Sequence, residues 1–270
     1  MRDLMQARDK TINDFGDQWT RHRENEGRYA STEQFADIIA PFLMPADFKD
    51  ARCADIGSGT GRIVNMLLAA GAAHVTAIEP SRAFDVLMRN TANASDKVTY
   101  LNVRGDELPA QDFDFVISIG VIHHIPEPKP VLEAAFHALK SGGALLIWVY
   151  GHEGGRLYQT IFLPVRAITR KLPVRVNEAI AAAIYPVTIA YGWLTGALPF
   201  LPLRRYMQEV YMRFDPLVRR LIIVDQINPQ WAKFYRREEI EGLVCNAGFA
   251  QVRAHHRHGY SWTVIGLKPG

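Results

Sequence analysis

At 270 residues, 48% of them hydrophobic, the chain is long enough for one large α/β domain or two small ones, and its composition excludes a disordered, collagen-like or disulfide-scaffold protein. A net charge of +3 is no nucleic-acid signature by itself. The two cysteines, Cys53 and Cys245, have no metal-ligand spacing, and they predict buried thiols in a reducing compartment. The polar N-terminus MRDLMQARDKTIND lacks the apolar stretch of a signal peptide, so a cytoplasmic location is expected.

Residues 1–50 predict a helical cover, with one helix near 32–40 that Ser31 can cap. From Ala51 the pattern changes to strands alternating with helices. A strand ends at Asp55-Ile56, and a helix over Arg62–Ala70 stops at Gly71. Strand His74–Glu79 precedes a helix over Ser81–Asn93, with Ser81 as its cap. Strands Val98–Val103 and Phe113–Ser118 follow, then a helix over Pro128–Leu139 and a strand over Ala144–Tyr150. The alternation resumes at a helix near 237–244, closed by Gly248, and ends in two strands, Ala250–His256 and Tyr260–Lys268, joined by a short turn. The expected fold class is α/β: a Rossmann-like, doubly wound, seven-stranded sheet with a C-terminal antiparallel hairpin, N-terminal helices and a helical insertion after strand five. Residues 51–150 and 236–270 would form the core, and 151–235 the insertion or lid.

The insertion is basic and apolar. Between Arg156 and Arg220 there are ten Lys/Arg and three Asp/Glu, whereas the rest of the chain is net acidic. Ala179–Leu203 has no charged residue and by length could span a membrane. Topology opposes a single crossing, because the strands on either side must join one sheet. Pro186, Gly192, Gly196, Pro199 and Pro202 are expected to interrupt any long helix there. Three uses remain open: a lid over an acceptor pocket, a dimer interface, or a surface within 156–220 that dips into a membrane.

The loop Gly57-Ser58-Gly59-Thr60-Gly61 lies between a strand and a helix, where glycine permits positive φ and close approach of a ligand. Dinucleotide loops need glycine at the first, third and sixth positions, and the sixth here is Arg62, which weakens a nicotinamide reading. A Walker loop is absent. Glu79 ends the second strand, where a carboxylate can accept two hydrogen bonds from a ribose diol. Asp106, after the third strand, can reach an adenine amino group. The run His255-His256-Arg257-His258 reads as a solvated turn, and no metal site is expected.

Asp55–Tyr150 resembles the class I S-adenosylmethionine-dependent methyltransferases, motif by motif and in order. DIGSGTGR resembles the first motif of that family, AIEPS its ribose-binding strand end and GDELP its adenine-binding loop. FDFVISIGVIHHIPEP and LKSGGALLIWVYG resemble the fourth-strand and fifth-strand motifs, and AGF with two strands resembles the closing hairpin. The early Phe15-Gly16-Asp17-Gln18-Trp19 is similar to a segment of bacterial methyltransferases of natural-product, glycan or quinone pathways. The resemblance implies S-adenosyl-L-methionine as cofactor. Gly57, Ser58 and Gly59 would line its methionine part and Asp55 would hold the amino group. Glu79, followed by Pro80, would take the ribose; Asp106 and Glu107 would bind the adenine. Ile119 and Gly120 would pass under the adenosine and sulfonium, with Trp19 and Tyr29 closing over them.

The expected reaction is methyl transfer to a small-molecule acceptor, a hydroxyl in the first instance, on a lipophilic or lipid-linked molecule. His123 or His124 would serve as general base, with Tyr150, His152 and Glu153 as rivals. A nicotinamide oxidoreductase and a cofactor-binding pseudoenzyme are the competing functions. No nucleic-acid partner is expected, and the chain would be a monomer or homodimer.

Overall fold

The computed structural model describes residues 2–270; the side chains of residues 2, 3 and 156–158, Arg156 of the basic segment among them, lie outside the described residues. The strands are β1 (Arg52–Ile56), β2 (His74–Ile78), β3 (Val98–Leu101), β4 (Phe113–Ile119), β5 (Leu139–Tyr150), β6 (Ala250–Arg257) and β7 (Ser261–Leu267). The helices are α1 (Arg2–Arg21), α2 (Thr32–Ile39), α3 (Arg62–Ala69), α4 (Phe84–Asn90), α5 (Lys129–Ala138), α6 (Arg156–Thr169), α7 (Val174–Ala197), α8 (Arg204–Glu209), α9 (Pro216–Ile227) and α10 (Arg237–Cys245).

Among the described residues the strands form one seven-stranded sheet in the order β3-β2-β1-β4-β5-β7-β6. Neighbours from β3 to β5 are parallel, and β7 runs antiparallel to both β5 and β6. Cys53–Ile56 and Val75–Ile78 are buried at every position, as strands covered on both faces must be. One layer gathers Phe35, Phe48, Ile63 and Leu67; the other gathers Val116, Leu132, Leu145 and Ile240. Strand order reverses between β1 and β4, and open α/β sheets bind ligands at that switch, beyond the carboxyl ends of the strands.

Several local expectations hold. Ser31 caps α2, its hydroxyl accepting from the Gln34 amide at 3.1 Å. Others shift for identifiable reasons. The Ser81 hydroxyl accepts from the Ala83 amide at 3.1 Å, which makes a local turn, so α4 begins only at Phe84. β5 starts at Leu139, which pairs with Phe113 of β4, and continues through the glycine pair, where Gly142 donates to the Lys268 carbonyl and Lys268 to that of Gly143, both at 2.9 Å. Cys53 is buried, but Cys245, at the end of α10, is exposed, so the expectation of two buried thiols fails for the second.

The solvated turn expected at 255–258 is also corrected. His255, His256 and Arg257 continue β6, and Arg257 is 2% exposed. Its guanidinium pairs with the Asp37 carboxylate, and its Nε donates to the Asp37 carbonyl at 3.1 Å. His258 lies between Glu209 Oε2 at 2.6 Å and Asp37 Oδ1 at 2.8 Å. The turn is therefore a junction of hairpin, α2 and α8, and burial of its charges is offset by their pairing.

Contrary to the sequence expectation, α7 is one continuous 24-residue helix through Pro186. The carbonyl that Pro186 leaves without its helical donor belongs to Ala182, and both residues are exposed, so solvent can satisfy it. Gly192 permits close packing: a Cβ there would stand 2.4 Å from Met212 Sδ. On the inner side Ala181 packs with Ile223, Val224 and Ile227 of α9. Asn177 donates to Asn228 Oδ1 at 2.9 Å, and the Thr188 and Tyr211 hydroxyls meet at 2.7 Å. The exposed positions run Arg175, Val176, Ala179, Ala182, Ala183, Pro186, Val187, Ala190, Trp193, Leu194, Gly196 and Ala197, a helical stripe apolar after its first residue. By length and composition α7 could cross a membrane, but its inner face is packed against α9, and β5 and β7 on either side of the insertion pair in one sheet.

Candidate cofactor and acceptor site

A cavity of about 750 Å³ opens over the carboxyl ends of the strands and extends under the insertion. Its floor is the loop after β1. Gly57 and Ser58 both donate to the Ile78 carbonyl, at 2.8 and 3.0 Å; Gly59 donates to Glu79 Oε2 at 2.8 Å; Gly61 donates to the Ser58 carbonyl at 2.8 Å. These four amides are spent inside the protein. A pyrophosphate cradle needs such amides free to point at the ligand, so the loop geometry opposes a dinucleotide. The loop also has no room for side chains at its turn: Gly57 has φ +77°, and a Cβ there would lie 2.5 Å from Val121 Cγ2.

Glu79 is nearly buried, and its second oxygen accepts from the Ser81 amide at 2.9 Å. Each carboxylate oxygen keeps a further acceptor site, so a diol can still be held. Pro80 lies beside it on the cavity wall. Asp55 is 1% exposed, and its Oδ2 has no hydrogen-bond partner among the described residues. Burial pushes its carboxyl up to about 7. It lies at the end of β1 and does not itself line the cavity. An orphaned buried carboxylate oxygen, an anchored diol acceptor and a glycine turn together fit the donor and acceptor groups of S-adenosylmethionine.

The other expected residues divide. Ser58, Asp106, Ile119, Gly120, Trp19 and Tyr29 line the same cavity. Asp106 is held there by Arg104, whose Nε donates to Oδ1 at 3.0 Å. Trp19 Nε1 comes within 3.6 Å of the Cβ position of Gly59. Tyr29 lies under the Arg62 guanidinium, 4.1 Å from its ring centre. Glu107 is not brought in; its carboxylate accepts from the Arg104 amide at 3.0 Å.

The histidines separate too. His123 is 0% exposed and does not line the cavity, and neither ring nitrogen has a hydrogen-bond partner among the described residues. It packs against Tyr150 and His124, with ring centres 4.0 and 4.1 Å away, so the structure denies it contact with an acceptor. His124 does line the cavity. Its Nδ1 lies 2.9 Å from the Trp231 carbonyl, which can only accept, so Nδ1 carries the hydrogen and Nε2 the lone pair. Burial pushes His124 down to about 3, so the ring stays neutral. Of the rivals, Tyr150 lines the cavity. Glu153 does not: it accepts from Arg237 N at 3.0 Å and from Trp262 Nε1 at 3.2 Å. His152 is also absent from the lining.

No motif or strand end in the sequence points to Asp225. It reaches the cavity from α9, where Gln18 of α1 donates to its carboxylate, and burial pushes it up to about 7. Beside it Gln226 donates to the Tyr150 hydroxyl at 2.8 Å. The rest of that half of the cavity is apolar, with Phe162, Val165, Ile184, Leu203, Val210 and Ile223 among its walls. Among the described residues no group of three or more His, Cys, Asp or Glu is arranged to hold a metal ion.

An open parallel sheet with this reversal, a closing antiparallel hairpin and a carboxylate at the end of β2 defines the class I methyltransferase fold. Residues 54–147 match the family described as methyltransferase domain. A tRNA U34 carboxymethyltransferase of Cellvibrio japonicus is 34% identical over 126 residues, covering 44% of this chain and 38% of that protein. A ubiquinone biosynthesis O-methyltransferase of Aromatoleum aromaticum is 33% identical over 96 residues, covering 34% of this chain and 41% of that protein. The chain thus spans well under half the length of these curated relatives. The crystal structure of magnesium protoporphyrin IX methyltransferase from Synechocystis, with bound SAH, aligns over 93% of both chains with a TM-score of 0.54 and 14% identity. The chain therefore carries a methyltransferase domain over residues 54–147, set in a class I S-adenosylmethionine-dependent methyltransferase fold.

Proposed function

We propose that the protein transfers the methyl group of S-adenosylmethionine to a hydroxyl oxygen of a lipophilic small molecule. The observation that carries this is the continuity of one cavity: the walls that fit the cofactor and the apolar walls of the insertion enclose the same space. The partial likeness to a ubiquinone biosynthesis O-methyltransferase supports an acceptor of this kind. The likeness to a tRNA-modifying enzyme covers 44% of this chain, and apolar walls suit a polyanion poorly.

S-adenosylmethionine supplies a methyl group already activated on a sulfonium, so alignment carries much of the acceleration. The acceptor oxygen gains the methyl and loses its proton, and the electron pair of the S–CH₃ bond stays on sulfur. Glu79 and Asp106 would hold the ribose and adenine groups, and Asp55, beneath the glycine loop, would reach the amino group through water. Trp19 and the α1 face around it keep water out. The neutral His124 accepts a hydrogen bond from the acceptor hydroxyl through Nε2 and orients it. Asp225, whose carboxyl titrates near neutrality, is the better matched proton acceptor.

The test is calorimetric titration with S-adenosylmethionine, followed by incubation of the protein with methyl-labelled cofactor and a lipid extract. Saturable binding and label in the organic phase are expected. No binding by folded protein overturns the cofactor assignment, and label in tRNA instead overturns the acceptor class.

A further inference from the structure

We propose that the outer face of α7 and the turn after it dock on an anionic lipid bilayer, and that the acceptor enters the cavity from that bilayer. The first observation is the inverted polarity of the helix. Its polar side chains Asn177 and Thr188 face inward, where Asn177 donates to Asn228 and the Thr188 hydroxyl meets that of Tyr211, whereas Val187, Trp193 and Leu194 face outward. Trp193 is 72% exposed and Phe200, in the turn that follows, 78%. A helix that only packed as a lid would carry the opposite pattern.

The second observation is charge. Arg175 opens the outward stripe, Lys171 lies just before it and Arg205 beyond its far end, and all three are exposed. Cations at the ends of an apolar face suit anionic headgroups. The same charges oppose pairing of two copies across this face, because a two-fold axis would set either end against a like-charged end.

The third is the mouth of the cavity. Ile161 and Val187 are 54% and 67% exposed, and both line the cavity, so the outward apolar face and the acceptor space share an edge. A lipophilic molecule could pass from acyl chains to the cavity without crossing water. The entry route rests on the function proposed above; the docking does not.

Flotation with vesicles of phosphatidylcholine, alone and mixed with phosphatidylglycerol, tests the docking on the full chain. Wild type is expected to float with the mixed vesicles and much less with the neutral ones, and high salt should weaken it. Trp193→Ser with Phe200→Ser should lower partitioning about tenfold. Lys171→Gln with Arg175→Gln should lower it by about tenfold or more on the anionic vesicles. Both variants should bind S-adenosylmethionine as wild type does, which reports an intact fold. Bromine-labelled acyl chains should quench wild-type tryptophan fluorescence more than that of Trp193→Phe. Cofactor-binding protein that fails to float with anionic vesicles overturns the docking. So does a stable dimer that dissociates on Trp193→Ser. Loss of cofactor binding in wild type would instead refute the function and leave the docking result standing.

Discussion

The side-chain amide of Gln18, on the N-terminal helix, donates to the carboxylate of Asp225, on the last helix of the insertion. This bond joins two segments 207 residues apart in sequence: α1, whose Trp19 lines the cavity beside the glycine loop, and α9, whose Asp225 lines the half under the insertion.

Asp225 makes the stability of the cofactor-free protein depend on pH. Its folded-state carboxyl and that of Asp55 are raised to about 7, so the folded state holds protons that the unfolded chain, near the ordinary carboxylate value, has released. Stability from these groups is therefore lost as pH rises through about 7. The buried His123 and His124 act oppositely, but only below the ordinary histidine value near 6.5, because both are lowered by burial. Melting temperature should thus fall between about pH 6.5 and 8, and Asp225→Asn should flatten the fall. An unchanged slope in that variant would count against a raised Asp225. In turnover, the same substitution should slow methyl transfer by about 10²-fold and remove an acid limb near pH 7 from the rate profile.

His124→Ala should lower kcat about tenfold to a hundredfold while leaving S-adenosylmethionine affinity within about twofold. His124→Gln, which keeps an acceptor, should recover part of the rate if the ring orients the hydroxyl. Equal loss in both variants would point to a packing role against Phe15, whose ring centre lies 4.6 Å away.

Glu79→Ala removes the acceptor for the Gly59 and Ser81 amides as well as the proposed ribose contact. It should cost about 1–3 kcal/mol of stability and raise the cofactor dissociation constant at least about tenfold. Chemical denaturation and calorimetric titration report the two separately. Wild-type affinity in a destabilised variant would confine Glu79 to a loop-building role.

Asp37→Ala should cost about 3–5 kcal/mol, because Arg257 would then be a buried guanidinium without its carboxylate. Replacing both residues with apolar ones should recover much of the loss. A single variant as stable as wild type in denaturant titration would show that Arg257 finds another partner or solvent.

The readable parts of the site were local. DIGSGTGR announces a strand, a tight turn and a helix within eight residues, and each of these depends on near neighbours. Ser58, Glu79, Pro80, Asp106 and Gly120 follow strand ends, so recognising the strands put them at one edge of the sheet. His123 and His124 could not be told apart in this way, since adjacent residues share a strand end and differ only in what surrounds them. The Trp231 carbonyl that sets the His124 tautomer lies 107 residues away. Glu107 was misplaced for a similar reason: the turn bends its carboxylate back to the Arg104 amide.

The sequence by itself determined the alternating core, the closing hairpin, the glycine turn and the carboxylates beyond the strands, because periodicity, turn chemistry and strand ends are written in short stretches. Only the tertiary structure decided the rest. It alone showed that α7 runs unbroken through Pro186, that Asn177 and Thr188 face inward while Val187, Trp193 and Leu194 face outward, and that the cavity-lining Asp225 meets Gln18. Those outcomes depend on which distant surfaces become neighbours. Pro186 is tolerated because the carbonyl it frees is exposed, and Asp225 is raised because other elements bury it.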